Sequence, residues 1–185
     1  MLIEADIPLR FLRLKKRFCY RGMLRKRACL IALLILDCDG VLTDGMLPRR
    51  FNIYDGLGIK RLVKTGINVM FISGSVNAED IHLRAKDLGI KSCYTGIQNK
   101  EEAFKNLLIE KGIQSNQVAY MGDDINDLGA IRLAGFSVAP KNAVKEVLKK
   151  VHYITKREGG HGAVREICDL LCQYHDQSKN IKKDI

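Results

Sequence analysis

Two acidic runs carry the chemistry of this chain, Asp37-Cys38-Asp39-Gly40-Val41-Leu42-Thr43-Asp44 and Gly122-Asp123-Asp124-Ile125-Asn126-Asp127, each following a hydrophobic stretch. Carboxylates held at strand ends suit magnesium-dependent phosphoryl chemistry, because one aspartate can attack phosphorus while its neighbours hold a hard cation that prefers oxygen ligands. A site for phosphate esters must neutralise the phosphoryl oxygens, fix the in-line geometry and protonate the leaving alkoxide. Asp37 is the candidate nucleophile, forming an aspartyl phosphate. Asp39, two residues on, can turn toward the leaving oxygen as general acid and then activate water. Magnesium would sit between Asp37 and Asp123, completed by a main-chain carbonyl near Asp39, which puts Asp39 among the metal residues, and by waters. Asp124 is a further metal residue, acting through water or from behind the direct ligands, or else a helix N-terminal carboxylate favoured by the dipole. Ser73, with Gly74 beside it, and Lys100 are the candidate phosphate contacts. Asp127 either orients Lys100 or caps a helix that starts near Asn126.

These residues need a scaffold that brings four distant segments together. From Leu30 onward, short runs rich in Ile, Val and Leu (Leu30–Leu36, Asn68–Ile72, Lys91–Tyr94, Gln117–Met121, Gly135–Val138) alternate with helical patterns. The helices are expected at about Gly56–Lys64, Asn77–Leu88, Lys100–Lys111, Asn126–Leu133, Ala143–Lys150 and Ala163–Tyr174. Gly66, Gly89, Gly112 and Gly135 each follow a helical segment, where a left-handed cap lets the chain turn back. The order predicts an α/β fold, a doubly wound parallel sheet with helices on both faces. Such sheets place their sites at the carboxyl ends of the strands, which is where Asp37, Ser73 and Asp123 fall.

Composition narrows the class. The 185 residues are 46% hydrophobic and 28% charged, as expected of one globular domain rather than a disordered chain. The net charge of +10 does not point to nucleic acid, because residues 1–30 alone hold nine Lys and Arg against two acids. What remains, a net +3, suits a small anionic substrate. Six cysteines without C-x-x-C or zinc spacing imply a reduced, cytosolic protein, with Cys168 and Cys172 as apolar fillers of one helix face. Arg25-Lys26-Arg27 before Ala28–Leu36 imitates a signal peptide, but the run ends in Asp37-Cys38-Asp39, and it is too short to span a bilayer. The expected organisation is a basic extension over 1–29, a domain over 30–176 and a polar tail over 177–185. Met23 is an alternative start, on which residues 1–22 are not native.

The four motifs in order, Asp37 to Thr43, Ser73, Lys100 and Gly122 to Asp127, resemble those of the haloacid dehalogenase superfamily of aspartate-dependent phosphatases. Leu42 to Gly45, Phe51 to Lys60 and Gly159-Gly160-His161-Gly162-Ala163-Val164-Arg165-Glu166 resemble, more narrowly, the family of 3-deoxy-D-manno-octulosonate 8-phosphate phosphatases. The resemblance implies a Rossmann-like fold without a large cap domain, Mg²⁺ as cofactor, and a homotetramer whose neighbouring subunits close each active site. It further implies an acidic sugar phosphate as substrate, a place in lipopolysaccharide precursor synthesis in a Gram-negative host, and substrate or supporting roles for Thr43, Asp44 and Asp55. Two departures stand out. Only Met46-Leu47-Pro48-Arg49-Arg50 replaces the family's usual β-hairpin, and Ser75 stands where Arg commonly follows the Ser/Thr-Gly pair; Arg49, Arg50 and Lys60 are the cations that could compensate. Two alternatives stay open: a phosphatase for a nonulosonate 9-phosphate, and a non-catalytic binding or scaffold protein that kept the fold.

Overall fold

The structure, a computed structural model, describes residues 20–181. Six strands form one parallel sheet: β1 (Leu33–Asp37), β2 (Asn68–Ile72), β3 (Ser92–Tyr94), β4 (Val118–Met121), β5 (Phe136–Ala139) and β6 (Tyr153–Ile154). Their spatial order is β3-β2-β1-β4-β5-β6. The chain therefore builds outward in one direction from β1, then returns to its other side with β4. That reversal opens a crevice between the carboxyl ends of β1 and β4, the usual ligand position in such sheets.

β1 is buried along its whole length, as its unbroken LLILD run requires of a central strand covered on both faces. Leu34 and Leu36 point into one core layer, and Leu33 and Ile35 into the other. The first layer is covered by α1 (described over 20–28), α2 (Ile53–Lys64), α3 (Glu79–Leu88) and α7 (Ala163–Ile181), and the second by α4 (Lys100–Lys111), α5 (Leu128–Leu133) and α6 (Lys145–Leu148). Cys168 and Cys172 are buried fillers of α7, and the five described cysteines are unbridged. No described helix is long and apolar enough to cross a membrane.

Several expected boundaries shift. Leu24 and Ala28 are buried in the first core layer, so α1 packs on the domain and the boundary expected at residue 30 falls too late. Residues 1–19 of the expected extension and 182–185 of the tail lie outside the described residues. The tail expected from 177 is continuous with α7, which runs to Ile181. The helix expected from Asn126 starts as a 3₁₀ turn (Ile125–Asp127) leading into α5. Gly66, Gly89 and Gly112 do take positive φ, but Gly135 does not. A side chain at Gly135 would strike the backbone of Asn116, so close packing rather than a left-handed cap explains that glycine.

Candidate active site

Strand register sets the site. Asp37 pairs with Ile72 across β1 and β2, so Ser73 begins the loop beside it. Leu36 pairs with Met121 on the other side, which brings Gly122 and Asp123 to the same level. Lys100 arrives as the first residue of α4, behind an Asn99 cap whose side chain accepts from the Glu102 N–H. A cation in a helix's first turn is disfavoured by the dipole, so Lys100 needs anionic partners, and it has two. Its Nζ lies 2.8 Å from Asp37 Oδ2 and 2.8 Å from Asp127 Oδ1, in a side chain only 1% exposed.

Asp127 is the brace of this cluster. Its Oδ1 also accepts from the Tyr120 hydroxyl at 2.6 Å, and its Oδ2 accepts from the N–H groups of Asp123 at 3.0 Å and Asp124 at 3.2 Å. One carboxylate thus holds Lys100 and ties back the N–H groups that lead into the 3₁₀ turn capped by Asp124. Oxygens of Asp37, Asp123 and Asp127 lie within 4.8 Å of one another. Because Asp127 is saturated by protein donors, Asp37 and Asp123 are the two with capacity for a cation; the Asp123 carboxylate has no side-chain donor among the described residues.

Two buried carboxylates and the half-buried Asp123 face one ammonium, and the site is short of positive charge. Burial, reinforced by the Asp127 charge, lifts the Asp37 carboxyl to about 8 despite the opposing pull of Lys100. The same two causes lift Asp123 to about 7. Burial alone would lower the Lys100 ammonium's pKa, but the Asp37 and Asp127 charges outweigh it and raise the value. An oxygen-only donor set with surplus negative charge suits Mg²⁺, which binds through one or two carboxylates and keeps several waters.

The remaining expected residues divide. Ser73 is buried at the end of β2, its Oγ accepting from Ser75 N–H at 3.1 Å, and the Gly74 carbonyl accepts from Gln98 Nε2. Asp124 is exposed and its Oδ1 accepts from the N–H of Ile125 at 2.7 Å, so it caps the 3₁₀ turn and stands outside the metal cluster. Asp39 also stands outside it, held by Arg49. Thr43 is fully buried, donating to the Cys38 carbonyl and accepting from Gly45 N–H, so of the substrate and supporting roles expected for it the bonds in place are those of a brace of its own loop. Asp55 is likewise turned inward: 1% exposed, it accepts from the N–H groups of Gly162 and Arg165 and so fastens the start of α7. Asp44 is exposed, its Oδ1 accepting from Met46 N–H.

Two further contributors, both singled out in the sequence, take their roles only from the fold. Gly159 and Gly160 lie flat on the nucleophile loop: a Cβ at Gly159 would overlap the Gly40 carbonyl, and one at Gly160 the backbone of Thr43 and Asp44. Neither position can gain a side chain without moving the loop that carries Asp39. Arg49 is the other. Of the three cations that could stand in near Ser75, it alone arrives, its Nη2 donating to Ser75 Oγ at 2.8 Å, whereas Arg50 and Lys60 are exposed.

A haloacid dehalogenase-like hydrolase family model matches residues 95–167. The 3-deoxy-D-manno-octulosonate 8-phosphate phosphatase KdsC of Yersinia pestis is 41% identical over 160 residues, covering 82% of this chain and 85% of that protein. The enzyme of the same name from Escherichia coli K12 is 41% identical over 149 residues, covering 76% and 79%. The crystal structure of the Moraxella catarrhalis enzyme in complex with magnesium, phosphate and KDO is 33% identical, with a TM-score of 0.82 over 88% of this chain and 98% of that one. With identity at this level across most of both chains, and the same doubly wound sheet beneath it, the chain belongs to the 3-deoxy-D-manno-octulosonate 8-phosphate phosphatase family of haloacid dehalogenase-like hydrolases.

Proposed function

We propose that the protein hydrolyses 3-deoxy-D-manno-octulosonate 8-phosphate to the free sugar acid and phosphate, with Mg²⁺ as cofactor, as a step in lipopolysaccharide precursor synthesis. The observation that carries the chemistry is the cluster of buried Asp37, Lys100 and Asp127 with half-buried Asp123 at the switch point of the sheet. Similarity to the Yersinia and Moraxella enzymes supports the choice of substrate.

The residues divide the work. An Asp37 oxygen forms a bond to phosphorus as the bond from phosphorus to the sugar oxygen breaks. Lys100 keeps the Asp37 carboxylate oriented and offsets the charge gathering on the phosphoryl oxygens, with Ser73 Oγ as a neutral donor beside it. Asp39 gives its proton to the leaving sugar oxygen. In the second step Asp39 takes a proton from water, whose oxygen displaces Asp37 from phosphorus. Asp37 and Asp123 would hold the magnesium ion, which supplies positive charge against the phosphoryl oxygens when bound.

Phosphate release from a panel of sugar phosphates tests the reading. Turnover is expected to be highest on 3-deoxy-D-manno-octulosonate 8-phosphate, lost on chelation and restored by Mg²⁺. Preference for a nonulosonate 9-phosphate would move the protein to the neighbouring specificity, and no release from any substrate would favour the scaffold alternative. The reading includes a cytosolic location, which the five described cysteines, all unbridged, suit. It also includes a homotetramer, on the ground that Met46, Leu47, Ile53, Tyr54 and Leu57 expose apolar surface along the 46–50 loop and α2. Sedimentation equilibrium is expected to give an oligomer; a monomer at micromolar concentration would remove that part.

A further inference from the structure

We propose that Arg49 selects for an acidic substrate: its guanidinium holds Asp39 in the free enzyme and transfers to a carboxylate of the bound substrate, releasing Asp39 for acid and base work. The inference rests on the phosphatase reading above.

The Arg49 side chain is 8% exposed although it lies on the short 46–50 loop. Its Nε donates to Asp39 Oδ1 at 2.6 Å and its Nη2 to Asp39 Oδ2 at 3.0 Å, a two-pronged grip on both carboxylate oxygens. Nη2 also donates to Ser75 Oγ. On the far side, Nη1 donates to the Asn77 carbonyl at 3.1 Å and to Asp80 Oδ1 at 3.1 Å. The guanidinium is therefore anchored to the start of α3 by one nitrogen while its other edge is spent on Asp39.

A carboxylate with both oxygens on a guanidinium cannot protonate a leaving oxygen or take a proton from water. Asp39 must leave that grip in each turnover. The vacated edge, still held in place by Asn77 and Asp80, presents two parallel N–H groups, which match another planar carboxylate. Asp39 in this arrangement is an internal stand-in for that anion. A substrate with a carboxylate replaces the broken ion pair with a new one. A phosphate ester without a carboxylate offers no such replacement, and the mostly buried guanidinium would be left with Asp80 as its one remaining protein carboxylate. Acidic esters are turned over preferentially for that reason.

The test compares wild type, Arg49→Ala and Arg49→Lys on 3-deoxy-D-manno-octulosonate 8-phosphate and on p-nitrophenyl phosphate, which has no carboxylate, both with Mg²⁺. For Arg49→Ala, kcat/KM on the sugar acid phosphate is expected to fall about 100-fold, mostly through KM, as for loss of a charged hydrogen-bonded pair. Its kcat on p-nitrophenyl phosphate is expected to rise severalfold, because the fraction of enzyme with Asp39 free increases. Arg49→Lys should recover only part of the first loss, since an ammonium offers a point charge and no parallel pair. Equal losses on both substrates would make Arg49 a structural clamp and overturn the inference, as would an unchanged kcat/KM on the sugar acid phosphate or a p-nitrophenyl phosphate rate at or below wild type. Wild type that hydrolyses p-nitrophenyl phosphate but not the sugar acid phosphate would instead overturn the substrate reading on which the inference stands.

Discussion

Asp37→Asn is expected to lower kcat by roughly 10,000-fold or more, the scale seen when a covalent nucleophile is removed, while leaving the protein folded. An amide is nearly the same size and shape as the carboxylate, and its oxygen can still accept the Cys38 N–H bond that Asp37 Oδ1 accepts at 2.8 Å. What it cannot do is attack phosphorus. Lys100 would lose one of its two carboxylates but keep Asp127, so the cluster loses surplus negative charge rather than its frame. Rates of phosphate release, read beside the far-ultraviolet circular dichroism and thermal unfolding of the variant, check both halves. Turnover near the wild-type rate in a folded variant would remove Asp37 from the chemistry.

Lys100→Met should damage stability and activity together. Met fills much of the same volume, so the effect isolates the charge. Lys100 is buried at 1% exposure between Asp37 and Asp127, and taking away one member of a buried ion pair typically costs about 3–5 kcal/mol because the remaining charge has no counterpart. Asp127 retains its bonds from Tyr120 and from the Asp123 and Asp124 N–H groups, so the uncompensated charge falls mainly on Asp37. Loss of a cation beside the phosphoryl oxygens should reduce kcat by roughly 100- to 1,000-fold. Urea unfolding with and without Mg²⁺ separates the two contributions: the cation is expected to return part of the lost stability but not the rate. A variant as stable as wild type without Mg²⁺ would contradict the electrostatic account of the cluster.

The parts of this site that were legible in sequence are those written in local pattern. Buried parallel strands carry continuous apolar runs, so Leu33–Asp37 and Val118–Met121 could be found, and the acids directly after them located Asp37 and Asp123. The two-residue β6 is too short for any period to emerge, and α1 is masked in sequence by its basic residues, although Leu24 and Ala28 bury themselves in the core. Side-chain direction was the harder problem. Thr43 and Asp55 sit in segments that resemble substrate loops, yet their bonds to Cys38, Gly45, Gly162 and Arg165 turn them inward, and two of those partners are more than a hundred positions away from Asp55. Arg49 was one of three candidates near Ser75; only the fold brings it to Asp39, Ser75, Asn77 and Asp80 at once. For Asp124, the sequence offered a metal role or a helix-terminal one; the fold shows its Oδ1 accepting from the N–H next to it, a bond between neighbours that no pattern in the sequence announces.

In this mechanism phosphate leaves the sugar by way of Asp37 and not by direct attack of water. Its most direct test is the stereochemical course of hydrolysis of a phosphorothioate analogue of the substrate, chiral at phosphorus through sulfur, ¹⁶O and ¹⁸O and hydrolysed in ¹⁷O-labelled water, so that the thiophosphate released is itself chiral. Two in-line displacements, first by Asp37 and then by water activated at Asp39, each invert phosphorus and together predict overall retention of configuration. Overall inversion would show a single displacement by water and contradict the account.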